Sequence, residues 1–162
     1  MVQFFRRERL KRACNRLLNS HQYTSALEKA SEGQAFPQKD AHFQIYAVWA
    51  LIENKQLTEA LEKVETALTE FSHHQVLLNL KGEILFKLGD LDQALACLQQ
   101  VYQEAPDNLH TAYIMGQVFV AKGDLDQSSK YFESILQYDP KILQVRLLSM
   151  AERYIYEMNQ KR

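Results

Sequence analysis

Cys14 and His21 lie seven residues apart, two helical turns, so a thiol and an imidazole could share one helix face. That pairing is the start of a nucleophilic dyad, but a working dyad also needs an orienting acid and an oxyanion donor, and neither accompanies it. A buried thiol at a small-residue packing position is the expected state of Cys14. His73 and His74 are adjacent, and neighbours on a helix or turn do not converge on one metal. Cys14 and Cys97, the only cysteines, lack metal-ligand spacing and cannot form a disulfide framework. No glycine-rich phosphate loop, paired catalytic carboxylates or metal box is present. The residues point to no enzyme, no cofactor and no metal.

The chemistry that remains is that of binding. Residues 1–16 carry six basic side chains against Glu8 alone, a local charge of +5. The other 146 residues carry 13 basic and 19 acidic groups, or −6. With no basic stripe along the body, nucleic acid is not an expected partner. The segment 4–18 reads as an amphipathic basic helix. Leu10, Ala13, Cys14 and Leu17 make its apolar stripe, and Arg9, Arg12 and Arg16 share another face flanked by Phe5. Such a patch could meet an anionic membrane surface or an acidic partner, but one short apolar stripe would hold lipid only weakly. The alternative is a solvated face on a packed helix. Trp49, the only tryptophan, is the other candidate anchor.

The elements that position these groups are written as a repeat. Gly82, Gly89, Asp90, Leu91, Asp92, Gln93 and Pro106 recur thirty-four residues on as Gly116, Gly123, Asp124, Leu125, Asp126, Gln127 and Pro140. A fixed offset of this kind marks one supersecondary unit stacked on copies of itself. In the unit 75–108, Leu78, Leu85 and Leu88 fall at helical spacing, Gly89–Asp90 breaks the helix, and Ala94, Leu98 and Val101 mark a second helix closed by Pro106. The unit 109–142 repeats this. Shifting back gives 41–74, with Val48 in place of glycine and Ser72 in place of proline. A further shift gives 7–40, where Gly33 and its polar neighbours suggest a short or frayed second helix. Residues 143–162 read as one capping helix whose wide apolar arc, including Leu147, Met150, Tyr154 and Met158, could serve self-association. The expected architecture is all-α, about four helix–turn–helix units plus a cap within a single domain, 1–162.

These residues resemble the tetratricopeptide-repeat family. Met115–Gly116, Phe119, Phe132 and Pro140 follow its pattern, with Ser128 at its alanine position, as do Gly82, Ala94, Leu98 and Pro106. Lys81 and Leu85 depart from it, and its tryptophan position holds Leu10, Gln44, Leu78 and Ala112. The resemblance covers about residues 7–162. It implies a right-handed α-solenoid whose first helices line a concave groove. The lining would comprise Lys11, Asn15 and Leu18; His42, Ile45, Trp49 and Ile52; Val76, Asn79, Glu83 and Phe86; His110, Tyr113, Gln117 and Val120; and Gln144, Leu147 and Tyr154. Apolar, aromatic and amide groups of this kind suit an extended or helical peptide. Trp49, Asn79, Phe86, Tyr113 and Gln117 are the expected contacts, with Trp49 either a hot spot or a packing residue between first helices.

Some relatives clamp the acidic tails of heat-shock chaperones. Here Lys11 and Asn15 match two clamp positions, but Tyr46, Val76 and Leu80 occupy the other three, so only a single carboxylate could be held. The resemblance implies a protein-binding adaptor or scaffold. The alternatives are a small helical-repeat chaperone of a secretion system, whose relatives are more acidic, and a membrane assembly factor docking through the basic helix. Residues 1–18 carry charges where a signal peptide needs an apolar run, and the apolar stretch 41–52 is too short to span a bilayer. A cytoplasmic location is expected.

Overall fold

The structure is a computed structural model that describes residues 1–37 and 39–137. Among these residues there are eight helices and no strand: α1 (Val2–Asn19), α2 (Tyr23–Gln34), α3 (Ala41–Glu53), α4 (Leu57–Glu70), α5 (Gln75–Leu88), α6 (Leu91–Glu104), α7 (Leu109–Lys122) and α8 (Leu125–Leu136). The closing Pro140, the expected capping helix 143–162 and its Gln144, Leu147 and Tyr154 lie outside the described residues. The chain forms two compact units, Met1–Leu88 and Gly89–Arg162.

One local device recurs along the chain. After α1, the N–H of Gln22 reaches back to the carbonyl of Leu17 (2.9 Å) and that of His21 to Leu18 (3.0 Å). After α3, Gln56 bonds Leu51 (2.9 Å) and Lys55 bonds Ile52 (3.0 Å); after α7, Asp124 bonds Phe119 (2.9 Å) and Gly123 bonds Val120 (3.0 Å). This is the Schellman closure, which satisfies terminal carbonyls by placing one residue in the left-handed conformation. That residue is His21 (φ 58°), Lys55 (φ 62°) and Gly123 (φ 79°), and Gly89 (φ 89°) stands at the same position in the third repeat. Repeats that look degenerate in sequence therefore keep the turn with residues that are strained by it. The helix starts differ in the same way. Asp90 and Asp124 accept hydrogen bonds from the N–H groups of Gln93 (3.2 Å) and Gln127 (3.0 Å), whereas Gln22 and Gln56 give no side-chain cap.

In the first unit each helix packs on the next, from α1 to α5. The first helices also touch one another, α1 with α3 and α3 with α5. The core holds Val48, Leu51, Val64, Leu77 and Ile84, continued by Cys14, Ala30, Phe43 and Ala47 towards α1. Gly33 and its polar neighbours suggested a short or frayed α2, and the helix is short: it has 12 residues against 14 in α4 and stops at Gln34, one residue past the glycine. Phe43 packs against Gly33, so that an added Cβ would overlap Phe43 Cδ1. The glycine is there for close approach.

In the second unit α6 packs on α7 and α7 on α8. Leu98, Val101, Met115, Val118, Phe132 and Ile135 are fully buried. Gly116 repeats the arrangement at Gly33: a Cβ there would meet Phe132 Cε1 and Cζ at 2.7 Å.

Candidate functional site

The nucleophilic reading fails on geometry. Cys14 is fully buried, its Sγ 4.0 Å from the carbonyl of Ala26, and burial pushes the thiol up to about 11. At neutral pH it is a thiol and not a thiolate. His21 turns away to the Tyr23 hydroxyl, 2.6 Å from its Nδ1. Among the described residues, no group of three or more His, Cys, Asp or Glu is placed to hold a metal ion.

The binding candidates separate into three kinds. On the first helices of the first unit, Asn15 and His42 are exposed and Trp49 keeps 39% of its surface in water. Ile45, one turn before Trp49, packs partly into the core. On α5, Val76 is exposed and Phe86 half-buried, while the half-buried Glu83 pairs with Lys87 (3.4 Å). Because α1, α3 and α5 lie side by side, these groups occupy neighbouring helices. Three expected lining residues do not contribute surface: Leu18, Ile52 and Asn79 are buried, the last with 6% of its surface in water.

In the second unit Tyr113 is also buried. Its ring lies 5.9 Å from that of Phe132, so it packs α7 on α8. Gln117 on the same helix is half-buried. Tyr154 lies outside the described residues.

Lys11 requires a correction. It was expected to hold a partner's carboxylate together with Asn15. Its Nζ is instead 2.8 Å from Asp40 and 3.1 Å from Glu8, so its charge is already answered within the chain. The hydrogen bond from Lys11 to Asp40 outweighs burial and raises its pKa. Asp40 is the hub. It also takes Arg7 Nη2 (2.5 Å) and His42 Nδ1 (2.8 Å), and caps α3 through the N–H of His42 (3.1 Å). Burial alone would raise its pKa, but the Lys11 and His42 bonds hold the carboxyl well below the usual carboxylate range. Asp40 thus fastens α1 to the start of α3. Its place just ahead of the apolar run at 41 was the available signal, a capping acid, though not for its basic partners.

The third kind is the basic patch. Arg9, Arg12 and Arg16 are exposed. Two adjoining shallow clefts of about 350 and 330 Å³ share Arg9, Ala13 and Arg16 in their walls.

A family model described as tetratricopeptide repeat matches residues 51–101 and 85–151. No curated protein matches the chain in sequence. Solved structures do match in fold. A thermophilic TPR protein of Thermus thermophilus superposes with a TM-score of 0.81 at 18% identity, over 93% of this chain and 81% of that one. MamA of Desulfovibrio magneticus RS-1 gives 0.70 at 16% identity, over 95% and 93%. A tetratricopeptide repeat protein of Parabacteroides merdae gives 0.68 at 18%, over 96% of this chain and 60% of that one. At such identities the likeness is one of fold.

Proposed function

We propose that this chain, which belongs to the tetratricopeptide-repeat family, is a non-enzymatic scaffold that holds a helical or extended segment of a partner polypeptide on the first helices of its repeats. Within the unit Met1–Leu88 the bound segment lies over α3, with Trp49 as its anchor. The observation that carries this is the half-exposed Trp49 on the middle of three adjacent first helices, α1, α3 and α5. A tryptophan left partly in water beside Ile45 offers a large rigid surface that a partner can desolvate. Asn15 and His42 supply polar contacts at its margin, and Val76 and Phe86 extend the apolar strip.

Affinity capture with wild type beside Trp49→Ala tests the reading. Removing an anchor of this kind costs a partner about 2 kcal/mol, some thirtyfold in Kd. The expected result is loss of the captured protein at an unchanged melting temperature. Capture that persists while the melting temperature falls would assign Trp49 to packing.

A further inference from the structure

The outer face of α1 combines charge and apolar surface in a way that the partner-binding strip does not use. Phe5, Arg9, Arg12 and Arg16 are spaced four, three and four residues apart, which confines them to an arc of about 60° at helical pitch. Cys14 and Leu18, buried, lie on the opposite side. Among the described residues none of the three arginines makes an ion pair. Arg6 lies over the Phe36 ring, 5.7 Å from its centroid. At the same end, Phe5 is 63% and Phe4 60% exposed, their rings meeting edge to face at 5.8 Å, and Val2 is exposed beside them.

We infer that this face of α1 docks on an anionic membrane surface. The arginines would sit among lipid phosphates and carboxylates, with their alkyl stems lying along the interface. Phe5 and Val2 would enter the boundary between headgroups and acyl chains, as the apolar side of an interfacial helix does. Charge alone would suit an acidic polypeptide equally. The apolar groups on or beside the arginine face, Phe5 and Val2, decide for the membrane, because an acidic chain would neutralise the arginines and leave those groups in water. Apolar burial and attraction to anionic lipid add together in the binding of an interfacial helix, and this face offers both. No described helix is long and apolar enough to cross a bilayer.

The test is cosedimentation of the full chain with phosphatidylcholine vesicles, with and without about one third phosphatidylserine. Wild type is expected to partition onto the anionic vesicles alone and to leave them in high salt, which screens the attraction. Each arginine near such a surface is worth about fivefold, so R9Q/R12Q/R16Q together should lower partitioning about a hundredfold. F4S/F5S should lower it several-fold while leaving the salt response intact. Matching circular dichroism melts would show that both variants fold. Should a variant not fold, the salt release and lipid selectivity of wild type carry the test. Equal binding to neutral vesicles, or undiminished binding by the folded arginine variant, would overturn the inference. So would capture of wild type by polyglutamate without binding to anionic vesicles, which would make an acidic polypeptide the ligand.

Discussion

Lys55 holds a left-handed backbone at a position where two sister repeats have glycine, so Lys55→Gly should stabilise the protein. The left-handed conformation costs an ordinary residue about 1–2 kcal/mol. Glycine avoids that cost but gives up about 0.5–1 kcal/mol through the greater freedom of the unfolded chain. The Lys55 side chain is exposed, and glycine keeps the N–H that bonds Ile52, so nothing else is lost. The net gain should be about 0.5–1 kcal/mol. With a urea dependence of about 2 kcal/mol per molar, the midpoint should rise by about 0.3–0.5 M. Trp49 is the only tryptophan and lies in the same unit, so its emission follows the relevant transition. The reciprocal change, Gly123→Lys, should lower the midpoint seen by circular dichroism. His21→Gly should gain less than Lys55→Gly, because His21 also bonds Tyr23 and meets its ring edge to face. A midpoint unchanged or lowered in Lys55→Gly, with Gly123→Lys harmless, would refute a left-handed closure that repeats every thirty-four residues.

Asp40→Asn should destabilise the first unit by about 1–3 kcal/mol, because Arg7 and Lys11 lose the negative charge they share and Lys11 keeps only Glu8. The carboxyl is held below its ordinary value in the fold, so its contribution is complete above about pH 4 and fades as the pH falls further. Urea titrations across that range should show a steeper acid loss in wild type than in the variant; parallel curves would contradict the hub. Gly33→Ala and Gly116→Ala should each cost about 1–3 kcal/mol, since the added methyl meets the Phe43 or Phe132 ring. Melting curves identical to wild type would mean that those rings do not lie on the glycines.

The helical repeat was legible because glycine, aspartate and proline punctuate it at one spacing. Gly89–Asp90 and Gly123–Asp124 announced the turns, and the Leu98 and Phe132 positions announced the buried stripes. The same turn at His21 and Lys55 was hidden, since neither residue advertises a positive φ. Only the offset from Gly89 lands on both. Gly33 and its polar neighbours signalled the short α2, but no local signal tells that Phe43 will pack on the glycine. The binding candidates were less legible. Spacing placed Asn79 and Tyr113 on the same helix strips as exposed residues, but burial depends on what the neighbouring helices cover. Lys11 looked available because Asp40, its partner, lies 29 residues away across two helix ends.

Hydrogen–deuterium exchange of the chain with and without its captured partner tests the central claim most directly. The account predicts slowed exchange in α3 around Trp49, with lesser protection in α1 and α5 and none in α2 or α4. Protection confined to α2 and α4, or an unchanged α3 in a complex that forms, would contradict it.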